Sequence, residues 1–120
     1  MSNQFIRTKL NIGSEALMKL HNSKVAIFGI GGVGGYVVEA LARSGVRNFV
    51  LIDNDVVSES NINRQIIATY NTIGKYKVDV MKDRILDINP QAEVNVHKCF
   101  YLPETKDQLK EYIKDLAEKL

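Results

Sequence analysis

The sequence predicts an α/β fold in which a parallel sheet is flanked by helices. Short apolar runs typical of buried strands alternate with longer segments whose apolar residues recur at helical spacing. Strands are expected over residues 25–28, 49–52 and 93–97. With right-handed crossovers these strands form a sheet in the order 3-2-1. We therefore expect about half of the strands of a complete doubly wound sheet.

Helical segments are expected between the strands and towards both ends of the chain. Val33, Val37 and Leu41 recur at helical spacing, and Gly45 is a typical residue just past a helix end. The helix after the second strand carries an apolar stripe of Val78, Met81, Ile85 and Ile88. The expected helical regions are a lead-in within residues 1–22, then residues 33–44, 75–88 and 105–120.

A glycine-rich stretch joins the first strand to the first of the crossover helices. Gly29, Gly31 and Gly34 form a GxGxxG pattern, and Asp53 follows 19 residues after Gly34. Gly29 allows a tight turn, Gly31 lets backbone N–H groups approach a phosphate, and Gly34 lets the helix pack closely. Asp53 can accept hydrogen bonds from ribose hydroxyls. The sequence therefore predicts the N-terminal half of a doubly wound, Rossmann-like nucleotide-binding fold.

A polar segment over residues 54–65 leaves the C-terminal end of the second strand, the edge at which open α/β sheets bind ligands. We therefore expect four polar residues of this segment to lie near the nucleotide: Asn61, Asn63, Arg64 and Gln65. Lys75 and Lys77 stand in the first turn of the next helix, where a cation is unfavourable for the helix dipole. A lysine in that position indicates a neighbouring anion.

Length and composition restrict the class of protein. With 120 residues, a net charge of +2 and scattered charged residues, one domain over residues 1–120 is expected, completed by sequence beyond Leu120. A single cysteine, Cys99, excludes an internal disulfide and a CxxC metal site within these residues. No apolar run is long enough to span a membrane. We expect a cytoplasmic protein in which His97 and Cys99 are incidental.

Together these features resemble the ubiquitin-activating-enzyme superfamily of ATP-dependent adenylating enzymes. The matching signatures are residues 29–34, the triplet Asp53-Asn54-Asp55, residues 60–65 and Lys77. Within that superfamily the sequence most resembles the tRNA threonylcarbamoyladenosine dehydratases, and it does so at residues 7–13, 63–69, 74–81 and 84–90.

The resemblance implies ATP and Mg²⁺ as cofactors and a reaction in which a carboxylate attacks the α-phosphate of ATP. The products are an acyl-adenylate and pyrophosphate. In the dehydratases the carboxylate belongs to threonylcarbamoyladenosine in tRNA, and the adenylate cyclises with loss of AMP. The implied partners are tRNA, a second copy of the chain, and a sulfur-carrier or cysteine-desulfurase-type protein.

The resemblance also assigns roles to individual residues. Arg64 and Lys77 would neutralise the leaving pyrophosphate in their own chain, and Arg7 would reach a partner's site as an arginine finger. The magnesium-binding aspartate is expected beyond Leu120, so no metal ligand is expected within this chain. The remaining residues expected to bind ATP are Gly29, Gly31, Gly32, Gly34, Asp53, Asp55, Asn61 and Gln65.

Three alternatives stay open at this point. The same adenylation chemistry serves enzymes whose substrate is the C-terminus of a ubiquitin-like sulfur carrier. An NAD-binding redox domain would account for the glycines and Asp53 but gives no role to Arg64 or Lys77. A non-catalytic binding module is the third.

Overall fold

The computed structural model describes residues 3–5, 9–10 and 12–99. Arg7 and the helix expected over residues 105–120 lie outside the described residues. The strands are β1 (Lys24–Phe28), β2 (Asn48–Ile52) and β3 (Glu93–His97). The helices are α1 (Ser14–Asn22), α2 (Gly32–Ser44) and α3 (Lys77–Ile88), with 3-10 turns at Asn3–Phe5 and Glu59–Asn61. None of the helices within these ranges has the length and apolar character needed to cross a membrane.

The three strands form one parallel sheet with β2 in the centre. Lys24 pairs with Asn48, and Asn48 pairs with Glu93, so the strands start and end level with each other. The order β1-β2-β3 confirms the predicted order and direction. The carboxyl ends of all three strands therefore meet at one edge of the sheet, here called the carboxyl edge, and their N-terminal ends meet at the opposite, amino edge.

The main core lies between the sheet and the helices α2 and α3. It is built by the inward residues of β2 together with apolar residues of both helices: Phe49, Leu51, Val38, Met81 and Ile85. Val50 and Ile52 are buried on the other face of the sheet, where Cys99 packs against them. A central strand buried on both faces is what its continuous apolar run predicts.

The buried face of α2 differs from the predicted one. Val33 and Val37 are 81% and 42% exposed, and the residues that pack inward are Gly35, Val38 and Ala42. A Cβ added to Gly35 would lie 3.3 Å from the Ile66 side chain. The helix approaches its neighbours through its small residues, and this close approach turns the larger valines outward.

Helix α3 begins two residues later than expected, at Lys77. Tyr76 is extended and forms an antiparallel bridge with Val56, and the N–H of Val57 donates to the carbonyl of Lys75. These bonds keep residues 75 and 76 out of the helix. The predicted apolar stripe is confirmed for three of its residues, which are fully buried: Val78, Met81 and Ile85.

The N-terminal lead-in docks at the amino edge of the sheet. Gln4 Nε2 donates to the carbonyl of Ile88 at 2.9 Å, and the Phe5 ring packs edge-on against His21 with a centroid distance of 5.2 Å. His21 Nδ1 is hydrogen-bonded at 2.7 Å to the carbonyl oxygen of Gly45, so Nδ1 is the protonated nitrogen. The chain around Phe5 is therefore fixed at the edge opposite the carboxyl ends of the strands.

Candidate active site

The glycine turn after β1 builds one wall of the site. Gly29 has φ +91°, a conformation that favours glycine, and its N–H donates to the carbonyl of Ile52 at 2.8 Å. Gly31 precedes α2 and has no side chain to cap the helix. A Cβ on Gly34 would collide with the carbonyl oxygen of Gly29. The turn and the helix are thus in contact, and the first amides of α2 remain available to an anion.

Asp53 joins the three strand ends to one another. Its Oδ2 accepts a hydrogen bond from the N–H of Ile30 at 2.7 Å, and its Oδ1 accepts one from the N–H of Asp55 at 2.8 Å. Its own N–H donates to the carbonyl of His97 at 3.1 Å. A carboxylate has about four lone-pair positions, so about two remain for ligand hydroxyls. Asp53 therefore shapes the glycine turn as well as being able to bind a ribose.

Lys77, at the start of α3, is a largely buried lysine. The residue is only 6% exposed, its N–H donates to the carbonyl of Asp55, and its Nζ lies 3.8 Å from Asp55 Oδ2. That separation is too long for a hydrogen bond, and Nζ has no other polar partner among the described residues. Lys77 also lines an open cleft. An anionic ligand bound there could supply the hydrogen-bond acceptors that Asp55 does not.

These residues surround an open cleft of about 270 Å³, here called the carboxyl-edge cleft. It is lined by Gly29, Gly31, Ile52, Asp53, Asp55, Lys77 and Cys99. Five of the predicted residues thus come together, while Ile52 and Cys99 were not expected there. Cys99 follows β3 by two residues, so its place at the carboxyl edge could have been inferred from the topology.

The other predicted residues do not line the cleft. Arg64 is exposed, and its Nη1 donates to the carbonyl of Ser60 at 2.8 Å and to Asn63 Oδ1 at 3.1 Å. Its backbone carbonyl lies 3.8 Å from the position that a Cβ on Gly32 would occupy. The Arg64 backbone is therefore close to the start of α2, while its side chain is bound within its own loop.

Asn61 and Gln65 are both buried, at 7% and 8% exposure. Asn61 Oδ1 accepts hydrogen bonds from the backbone N–H and the hydroxyl of Ser58, which caps the 3-10 turn. Gln65 Oε1 is buried without a hydrogen-bond partner within the described part of the chain. The structure thus gives Asn61 a role in shaping the loop that sequence reasoning missed. Across residues 3–5, 9–10 and 12–99, no three His, Cys, Asp or Glu side chains are grouped as a metal site.

Comparison with known proteins identifies the family. Residues 5–117 match the ThiF family. The chain belongs to the ThiF family. Its three-stranded parallel sheet with flanking helices is the Rossmann-like fold of that family.

Members of the family with described functions are closely similar. The tRNA threonylcarbamoyladenosine dehydratase of Bacillus subtilis is 52% identical over 112 residues, which is 93% of this chain and 44% of that protein. The crystal structure of the Escherichia coli enzyme, TcdA, in complex with ATP has a TM-score of 0.86 at 39% identity, over 90% of this chain and 44% of that one. The structure of Escherichia coli MccB with ATP has a TM-score of 0.80 at 32% identity, over 89% of this chain and 33% of that one. The chain thus spans less than half the length of these relatives.

Proposed function

We propose that this chain is the ATP-binding part of an enzyme that adenylates the carboxylate of threonylcarbamoyladenosine in tRNA. The carboxylate oxygen would attack the α-phosphate, the bond to pyrophosphate would break, and the adenylate would cyclise with release of AMP. The names of the Bacillus subtilis and Escherichia coli relatives support the substrate, and the ATP complex of the latter supports the nucleotide. The whole of residues 1–120 would serve as one nucleotide-binding domain, and a tRNA substrate would be met in the cytoplasm.

The observation that carries this proposal is Lys77, a largely buried lysine that lines the carboxyl-edge cleft and whose ammonium has no hydrogen bond within the described part of the chain. A triphosphate supplies the missing acceptors, and a positioned cation stabilises negative charge as pyrophosphate leaves. The first backbone amides of α2 lie at the positive end of the helix dipole, which would stabilise the same negative charge. Asp53, with lone pairs left over, would hold the ribose.

Two arginines complete the proposed charge stabilisation. Arg64 would contribute from the same chain after releasing its hydrogen bonds to Ser60 and Asn63. Arg7 would come from a second copy of the chain in a homodimer. The native protein would also bind a sulfur-carrier or cysteine-desulfurase-type protein.

The described residues fit Mg²⁺ only as part of a larger ligand set. Mg²⁺ in nucleotide sites is held by about one or two carboxylates together with phosphates and water. Asp55 supplies one carboxylate at the cleft, with its side chain 56% exposed and Lys77 nearby. The bound ion would neutralise phosphate charge, and the other protein ligand would come from sequence beyond Leu120.

A direct test compares ligands and substrates in the native protein. Calorimetric titration should detect binding of ATP but not of NADH, because NADH lacks the terminal phosphates that Arg64 and Lys77 are proposed to bind. Pyrophosphate exchange into ATP should be stimulated by tRNA that contains threonylcarbamoyladenosine. Stimulation by a sulfur-carrier protein instead would replace the tRNA assignment, and preferential binding of NADH would exclude adenylation altogether.

Two glycine substitutions should separate folding from phosphate binding. Gly34→Ala should lower the free energy of unfolding by about 1–3 kcal/mol, because its Cβ would overlap the carbonyl of Gly29. At Gly31 an added Cβ meets nothing within 4 Å and φ is −91°, so Gly31→Ala should leave stability nearly unchanged. The same methyl group would project where the phosphate is proposed to lie and should weaken ATP binding. Urea unfolding and ATP titration of both variants check this, and equal effects on stability would contradict it.

A further inference from the structure

A rigid loop beside the carboxyl-edge cleft has no role in the chemistry proposed above. In this loop, residues 69–76, the Thr72 hydroxyl donates to the carbonyl of Ile67 at 2.8 Å and accepts from the N–H of Thr69 at 2.9 Å. The N–H of Gly74 donates to the carbonyl of Val57 at 2.9 Å. The loop is therefore held in one shape by bonds at its tip and at its base.

This ordered loop presents apolar side chains to solvent. Tyr70 is 76% exposed, Tyr76 is 40% exposed and Ile73 is 39% exposed. Val56, which is paired with Tyr76, is 42% exposed. Tyrosines held outward on a fixed backbone are costly to hydrate and are typical of binding surfaces, where one ring can cover a partner at small entropic cost.

The loop stands at the rim of the cleft. Tyr76 directly precedes Lys77, and the ammonium of Lys98 lies 4.5 Å from the centroid of the Tyr76 ring. Lys98 directly precedes Cys99, and both Lys77 and Cys99 line the cleft. A molecule that contacts Tyr76 would therefore be placed beside the proposed nucleotide.

The charge around the loop favours a polyanion. From Ser60 to Val78 the chain contains no aspartate or glutamate, although it has 14 acidic residues in all, and it carries Arg64, Lys75 and Lys77. Of the two acidic residues that flank this stretch, Asp79 is already paired with Lys98 at 3.0 Å. Exposed aromatic rings between cations are the arrangement with which proteins bind unpaired nucleotides.

We infer that residues 69–76 form a docking surface for the single-stranded loop of an RNA, in which a base stacks on Tyr70 and phosphates approach Lys75. This inference rests on the proposed function, since it explains how an RNA-borne carboxylate would be delivered to the cleft. It adds the contact surface and the recognition mode, stacking on unpaired bases, which the adenylation chemistry does not require.

The test measures binding of the native protein to a fluorescein-labelled RNA hairpin with an unpaired, adenosine-containing loop. Tyr70→Ala should weaken binding by about 5- to 100-fold, the usual effect of removing one stacked base contact. Tyr70→Phe keeps the ring and should retain the affinity. Tyr36→Ala removes a tyrosine that is 55% exposed on α2 and should also retain it. ATP affinity should be unchanged in all three variants.

Salt dependence separates the stacking contact from the ionic one. Lys75→Gln should reduce the slope of log affinity against log salt by about 0.7–1, since one phosphate contact is lost. Tyr70→Ala should leave that slope unchanged. A fully paired RNA duplex should bind the wild-type protein weakly, because its bases cannot stack on the protein.

Wild-type affinity of Tyr70→Ala for the open hairpin would overturn the inference while leaving the proposed function intact. A change in sedimentation of Tyr70→Ala would overturn it as well, by showing that the loop contacts a second protein copy. If the wild-type protein binds ATP but binds neither the hairpin nor tRNA, the tRNA assignment itself fails. This result differs from one in which only the Tyr70→Ala variant loses RNA affinity.

Discussion

Replacing Lys77 by methionine should abolish most of the affinity for ATP without lowering stability. Hydrogen bonds to charged groups contribute about 1.5–3 kcal/mol, so binding should weaken by about 10- to 100-fold. Pyrophosphate exchange at saturating ATP should fall further, on the order of 10²–10³-fold, because the cation acts on charge that develops as the bond breaks. Methionine fills the same space, and the lost contact with Asp55 is long and partly exposed, so the unfolding free energy should stay nearly constant.

The combination of these two readouts identifies a ligand-binding lysine. Replacing a lysine that has a structural role would destabilise the protein. Lys77 is not bound in that way, since its ion pair with Asp55 is 3.8 Å long and the Asp55 side chain is 56% exposed. Lys82→Met, on the same helix and outside the cleft, is the matched control and should keep ATP affinity. Calorimetric titration and urea unfolding give both quantities. A destabilised Lys77→Met that still binds ATP would remove Lys77 from the phosphate site.

The sequence predicted the strands, their order and five cleft residues because these depend on local patterns. An apolar run followed by GxGxxG fixes the turn at Gly29, and parallel topology then brings Asp53 and Lys77 to the same edge. Lys77 was recognisable because a cation at a helix start opposes the dipole. Each of these signals occupies a few neighbouring residues, and the rules of parallel topology then bring the signals together.

The sequence pattern could not predict long-range packing, or which of several possible partners a side chain would bind. Val33 and Val37 looked like the buried stripe of α2, but close approach through Gly35 reversed that face. Asn61 was expected to bind the nucleotide, but its side-chain oxygen accepts hydrogen bonds from the N–H and the hydroxyl of Ser58. The bond from the Ile30 N–H to Asp53 joins residues 23 positions apart and depends on the final fold. In each case another part of the structure decides what a side chain binds.

Arg7 is where the second large effect is expected. Gln4 and Phe5 are held at the amino edge, whereas the cleft lies at the carboxyl edge. The family resemblance implies that Arg7 acts in the cleft of a second chain.

In a dimer with such composite sites, one chain supplies Asp53, Arg64 and Lys77 and the other supplies Arg7. Arg7→Ala and Arg64→Ala homodimers should each lose about 10³-fold or more in pyrophosphate exchange, the effect of removing an arginine that stabilises phosphoryl-transfer charge. ATP affinity should change much less for Arg7→Ala, because its contact would form mainly as pyrophosphate leaves. Titration and exchange assays on the native protein measure the two effects separately.

Mixing the two inactive variants should restore activity. In a mixed dimer one of the two sites contains both wild-type arginines, so with random exchange about a quarter of all sites should work. If Arg7 acted within its own chain, every site of the mixed dimer would lack one arginine and no activity would return. If Arg7 were an ordinary surface residue, Arg7→Ala alone would keep wild-type activity. Recovery after subunit exchange therefore requires that Arg7 and Arg64 serve the same site from different chains.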